Sequence, residues 1–136
     1  MSKVNPIQPT ESELAILQIL WTQGPCPVRE VNDQLNASRA AGQKEIGYTT
    51  TLKIMQLMLD KGLVDRNTAM RTHIYRAAVA ENAIRKNLLN RFVDTAFRGS
   101  AMDLVMQALG NEDTSQEELN ELKAFIKKIE EDRKNS

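Results

Sequence analysis

Cysteine is almost missing: the 136 residues contain one, Cys26. A lone thiol excludes an intrachain disulfide. With one histidine, His73, it also offers no ligand spacing for a tetrahedral metal site. No metal and no other cofactor is expected. Cys26 stands between Pro25 and Pro27, the place of a small apolar residue in a turn rather than of a redox sensor. Long apolar runs are missing too, so nothing is expected to cross or anchor in a bilayer. The opening residues, Met-Ser-Lys-Val-Asn-Pro, lead into no signal-peptide core, and a cytoplasmic protein is expected. There is no nucleophile set beside a base and no glycine-rich phosphate loop. The Glu117-Glu118 and Glu130-Glu131-Asp132 runs read as solvated helix faces, so an enzyme is not expected.

Net charge is missing as well: the formal sum is zero. A neutral chain is not an evident polyanion binder, so the distribution of charge carries more than the total. Residues 1–80 hold nine bases and seven acids, or +2, which leaves −2 for residues 81–136. Within 39–76 the bases Arg39, Lys44, Lys53, Lys61, Arg66, Arg71 and Arg76 face three acids, Glu45, Asp60 and Asp65, giving +4. Positive charge gathers around one stretch, residues 46–62.

That stretch, Ile-Gly-Tyr-Thr-Thr-Thr-Leu-Lys-Ile-Met-Gln-Leu-Met-Leu-Asp-Lys-Gly, has the pattern of a recognition helix. The spacing predicts a helix over about 48–61, stopped by Gly62. Tyr48, Leu52, Met55 and Leu59 fall within one arc at 3.6 residues per turn, the expected core face. Thr49, Thr50 and Lys53 lie on the far side of the first turns. A helix N-terminus favours anions, threonine can bond phosphate or base edges, and lysine can reach guanine or phosphate. Ile54 and Leu57 fall outside the core arc.

Two helices are expected before it. Thr10-Glu11-Ser12-Glu13 reads as a capping box opening the first, whose core face is Leu14, Ile16, Leu17, Leu20 and Trp21; Gly24-Pro25 ends it. The second runs over about 28–35 behind Pro27, with Val28, Val31 and Leu35 inward and Arg29 and Glu30 turned elsewhere. The polar connection 36–47 is longer than a tight helix-turn-helix needs, so it is expected to be mobile or partly helical. Arg39 and Lys44 on it are candidates for phosphate contact. After Gly62 the period changes to alternation. Residues 63–67 and 72–76 read as two strands joined at Thr68-Ala69-Met70-Arg71, a basic hairpin with Arg66, Arg71 and Arg76. Arg71, nearest the tip, is its main candidate, and His73 reads as a strand surface residue.

The remainder is helical. Ile84, Leu88, Leu89, Phe92, Val93, Ala96 and Phe97 make a wide band over about 80–98, closed by Gly99. A second segment carries Leu104, Val105, Ala108 and Leu109. A third opens on a capping box expected at Thr114-Ser115-Gln116-Glu117. Leu119, Leu122, Ile126 and Ile129 follow at 3-4-3 spacing. About 55 residues in three helices bury little on their own, so a second copy of the chain is the expected partner. Leu88, Leu89, Phe92, Phe97, Leu104, Leu119, Leu122 and Ile126 are the candidate dimer contacts. The expected architecture is mainly α with a small β-hairpin wing: a winged helix-turn-helix over 1–79, then a helical dimerisation region over 80–136.

The succession resembles the penicillinase-repressor (BlaI/MecI/CopY) family of bacterial winged-helix transcriptional repressors. The residues that carry it are 10–17 with Leu20-Trp21, Pro27-Val28-Arg29-Glu30-Val31, Tyr48-Thr49-Thr50-Thr51-Leu52, Asp60-Lys61-Gly62-Leu63-Val64, Phe92-Val93-Asp94, Phe97-Arg98-Gly99-Ser100, and residues 113–119. The resemblance implies a homodimer on an inverted-repeat DNA operator, with the third helix in the major groove. It implies Thr49, Thr50 and Lys53 as base readers and Tyr48 and Arg71 on the backbone. Family members in resistance operons are relieved when a membrane sensor protease triggers their cleavage at an Asn-Phe pair; Gln107-Ala108 stands at that position here, a departure from the pattern. The copper-responsive branch carries a C-terminal cysteine pair, which this chain lacks. A winged-helix module that binds protein instead of DNA is the alternative. Ile54 and Leu57 speak for it, and Thr49, Thr50 and Lys53 against.

Overall fold

The computed structural model describes residues 8–110 and 113–135. The reading of the first six residues therefore lies outside it. Eight elements follow one another: α1 (Glu11–Gln23), α2 (Val28–Ala37), α3 (Tyr48–Lys61), β1 (Val64–Asn67), β2 (Ile74–Ala77), α4 (Glu81–Ala96), α5 (Ala101–Leu109) and α6 (Gln116–Lys134). The molecule is mainly helical with one antiparallel hairpin, as the sequence predicts. Two compact units divide it, Met1–Leu89 and Asn90–Ser136, with the boundary inside α4.

The first unit is built around an apolar cluster. Ile16, Leu17 and Leu20 of α1, Val28, Val31 and Leu35 of α2, and Met55 and Met58 of α3 close against Leu63, Val64, Tyr75 and Cys26. Burying each of the larger side chains stabilises by about 1.5–3 kcal/mol. The capping box of α1 forms as expected: the Thr10 hydroxyl accepts from the Glu13 N–H at 3.2 Å, and the Thr10 N–H donates to Glu13 Oε1 at 2.9 Å. Trp21 is half-buried and donates from Nε1 to the Val79 carbonyl at 3.0 Å, tying α1 to the chain after the hairpin.

In the hairpin Val64 pairs with Ala77 and Asn67 with Ile74. Its strands start one or two residues later than the alternation suggests, and the tip is correspondingly wider. A third extended residue joins it. Cys26 exchanges both backbone hydrogen bonds with Tyr75, at 3.0 and 2.9 Å, between the two prolines. Gly62 stops α3 with φ +80°, a left-handed conformation that costs glycine nothing, and the chain turns directly into β1.

The second unit has hardly any interior. Val93, 7% exposed, is its one buried hydrophobic among the described residues. Phe92 and Phe97 meet edge to face at 5.7 Å between ring centres. Ser100 caps α5 by accepting from the Asp103 N–H. The capping box of α6 sits one residue later than expected: Ser115, not Thr114, is the cap, and it exchanges hydrogen bonds with Glu118. Both registers satisfy the sequence rule.

One charged side chain of the α1 capping box lies inside. Glu13 is 3% exposed. Its carboxylate accepts from Lys61 Nζ at 2.8 and 3.1 Å while it caps α1. Burial pushes the Glu13 carboxyl up, but the hydrogen bonds and charge of Lys61 and the bonds to Thr10 outweigh this and hold it below its ordinary 4.5. Its contribution to stability is therefore complete above pH 4.5 and is lost as pH falls through the lower, folded value. Glu13→Gln, which keeps the cap acceptor, should flatten the acid limb of stability against pH in urea titrations. Lys61→Met strands the carboxylate and should cost about 1.5–3 kcal/mol at neutral pH.

Candidate nucleic-acid interface

The outward face of α3 is set by how the helix is seated, and the seat differs from the expected one. The buried residues are Thr51, Met55 and Met58, while Leu52, Ile54 and Leu59 are partly buried against the same core. Tyr48, expected inside, is 45% exposed. The core face is thus rotated by about 60° from the arc of Tyr48, Leu52, Met55 and Leu59. This wider face is covered by α1, α2 and β1, on which α3 packs. Ile54 is accounted for by this rotation. Leu57, 49% exposed, stays outside.

A threonine at the centre of a core needs a partner, and Asn32 supplies one. Asn32 Nδ2 donates to Thr51 Oγ1 at 2.8 Å and to the Ile46 carbonyl at 3.0 Å. Asn36 adds a second tie, donating from Nδ2 to the same carbonyl at 3.0 Å and accepting the Ile46 N–H on Oδ1 at 2.7 Å. The two asparagines of α2 thereby fix where the chain enters α3. Of the connection 36–47, expected to be mobile or partly helical, Asn36 and Ala37 extend α2, while residues 38–47 contain no helix and the last of them are pinned. Sequence reasoning missed the network because asparagines in a helix carry no pattern until their partners are known.

With the core side fixed, the opposite stripe of α3 is Thr49, Lys53, Gln56 and Asp60, all exposed. Thr50 is also exposed but lies on the flank that carries Ile54, Leu57 and Lys61. The side chains of Thr49, Thr50, Lys53 and Gln56 have no hydrogen bond or ion pair among the described residues. Gln56 was not singled out from sequence. It lies on the stripe one turn beyond Lys53, and the rotation of the helix is what brings it into line.

The basic residues separate into engaged and unengaged. Lys61 is held by Glu13, and Arg76 bonds Asp65 directly across the hairpin at 3.3 Å. Arg76, a candidate by charge alone, is thus partly neutralised. Arg39, Lys44, Lys53, Arg66 and Arg71 are exposed and form no ion pair among the described residues. Lys44 sits on the connection before α3 and Arg71 in the turn between the two strands of the hairpin. Arg71, Thr72 and His73 line an open cavity of about 430 Å³ with Arg29, Tyr48 and Leu52. The Arg29 guanidinium makes a cation–π contact with the Tyr48 ring, 5.7 Å from its centre. Among the described residues no cluster of three or more potential metal ligands occurs, and no helix is long and apolar enough to cross a membrane.

Three comparisons bear on this arrangement. The family model for penicillinase repressors matches residues 9–128. The methicillin resistance regulatory protein MecI of Staphylococcus aureus (strain N315) is 22% identical over 119 residues, 88% of this chain and 93% of its own. The penicillinase repressor of Bacillus licheniformis is 24% identical over 122 residues, 90% of each chain. Among solved structures, a MarR family protein from Bacillus stearothermophilus aligns with a TM-score of 0.51 at 21% identity, over 96% of this chain and 77% of that one. That likeness is one of fold, a winged helix.

The asparagine network yields a stability test. Asn32→Ala leaves the Thr51 hydroxyl and the Ile46 carbonyl short of a donor and should lower unfolding free energy by about 1–3 kcal/mol in urea titrations. Thr51→Val keeps the shape and removes only the acceptor, and should cost about 0.5–1.5 kcal/mol.

Proposed function

This chain belongs to the penicillinase repressor family, and on that premise we propose that it is a homodimeric, sequence-specific transcriptional repressor that sets α3 into the major groove of an inverted-repeat operator. One observation carries the reading: the outer stripe of α3 is polar, exposed and unpaired among the described residues while the rest of that helix is packed or engaged, Thr50 and Leu57 apart. Thr49 and Lys53 meet base edges, with Gln56 as a further reader, since a glutamine amide matches adenine as lysine matches guanine. Thr50 lies beside them at the helix start. Tyr48, Lys44 and Arg71 flank them and contact backbone phosphates, which set register without reading sequence.

The same proposal makes α4–α6 the dimer contact. A unit with one buried hydrophobic cannot be stable by its own packing. Leu89, Phe92 and Ile126 are exposed in the single chain, and Leu88, Phe97, Leu104, Leu119 and Leu122 are half-buried. Met102, Val105, Met106, Phe125 and Ile129 are exposed beside them and extend the candidate set. A second copy is the occupant because a two-fold repeat of the DNA-reading unit is what an inverted repeat requires. Division of labour between reading and dimerisation then falls along α4. Relief by a sensor protease forms no part of the proposal: Gln107-Ala108 departs from the family's pair and lies within α5.

One observation favours a second reading, a module that docks protein: Leu57 is half exposed beside the reading stripe. The two differ in their response to salt. An operator complex must weaken steeply as salt rises, because phosphate contacts release counterions.

Lys53→Ala and Arg71→Ala should both weaken operator binding in fluorescence anisotropy titrations. Lys53→Ala should also relax preference at about one base position, by about 1–3 kcal/mol. Operator affinity unchanged in both variants would refute the assignment of α3. Phe92→Asp or Ile126→Asp should give monomers in sedimentation velocity; a dimer that persists in both would place the interface elsewhere.

A further inference from the structure

We infer that the cavity between the starts of α2 and α3 and the hairpin is a clamp for one DNA backbone phosphate, closed by Arg29 and Arg71. The inference rests on the DNA reading above and adds to it a residue that neither helix period nor charge pattern singles out. Arg29 is the second residue of α2, on the first turn of a short helix. There the positive end of the helix dipole repels a cation, so its place is unfavourable for the helix alone. Glu30 stands on the same turn, but Arg29 and Arg71 form no ion pair among the described residues, and no acid is among the residues that line the cavity. Two guanidinium side chains thus line one open space together with Tyr48, Thr72 and His73, a basic lining suited to an anion.

The geometry also orients Arg29. Its guanidinium lies over the Tyr48 ring at 5.7 Å. A guanidinium drawn to a ring face by a cation–π contact keeps its N–H donors available, and a guanidinium can hold a phosphate by two parallel bonds. Tyr48 is therefore a positioning residue for Arg29, besides offering its own hydroxyl. Neither α2 nor α3 has a side-chain cap: Pro27 and Gly47 stand at the cap positions, so their first N–H groups are not taken by a capping side chain. These add to the field in the cavity without making the site, which stands on the two arginines.

A phosphate on DNA is the occupant because the cavity adjoins the reading stripe through Tyr48, one residue before Thr49. A contact there fixes how deeply α3 enters the groove. It carries no base information, so its loss weakens every sequence alike.

The test is a double-mutant cycle on the full-length protein with two duplexes, the operator found by footprinting and a scrambled one of equal length. Arg29→Ala and Arg71→Ala should each weaken binding on the order of tenfold, by the same factor on both duplexes. The double variant should weaken binding by less than the product, since one phosphate is shared. Its slope of log affinity against log salt should fall by about one. Tyr48→Ala should lower affinity more than Tyr48→Phe, which keeps the ring under Arg29. Unchanged affinity for Arg29→Ala, or a loss confined to the operator, overturns the clamp while leaving the DNA reading intact. Losses that multiply in the double variant overturn the shared phosphate. Wild-type protein that binds neither duplex overturns the DNA reading and the clamp together.

Discussion

A single side-chain amide sets the rotation of the outward helix. Asn32, 9% exposed, gives one hydrogen to Thr51 and one to Ile46. Turning α3 about its axis would bury an unpaired threonine hydroxyl somewhere else and leave the amide without its acceptor. Either outcome costs more than the pair contributes when made, because a buried polar group without a partner loses its hydration outright. Such a network narrows the helix to one rotation where an all-apolar face would tolerate several. At the other end of α3, Glu13 and Lys61 fix the axial position through an ion pair that shares its carboxylate with the cap of α1. The helix is held at both ends by polar contacts and along its middle by methionines.

These two kinds of contact divide the labour. The methionines Met55 and Met58 supply burial, which is roughly indifferent to register. The asparagine and the ion pair supply little net stability and most of the specificity of placement. The four polar groups of the outer stripe inherit their direction from them. A shift of the helix by one residue would turn Lys53 by about 100° and exchange it for apolar neighbours.

Much of this was legible in the sequence; the cap of α6 and the strand starts slipped by a residue or two where local patterns tie, and the larger failures share one cause. The capping boxes, the glycine stop after α3, the hairpin and the order of elements follow from neighbours within four residues. The seating of α3 does not. Thr51 is buried because Asn32 reaches it, and these lie 19 residues apart. Helical period alone placed Tyr48 inside, because it weighs apolar character and not the cover on each flank. Glu13 was legible as a cap and illegible as half of an ion pair, its partner being 48 residues away. Arg29 and Tyr48 met only in the folded chain. The second unit was read as needing a partner; among its described residues Val93 is the one buried hydrophobic.

The joint at Cys26 has a consequence for the reactivity of its thiol. Burial, with Glu30 nearby, raises this thiol to about 11, and its backbone is locked to Tyr75 between two prolines. At neutral pH about one such group in ten thousand is ionised, and only the thiolate attacks an oxidant, an electrophile or a soft metal. The chain's one sulfhydryl is thus a weak nucleophile that serves the packing beside the hairpin.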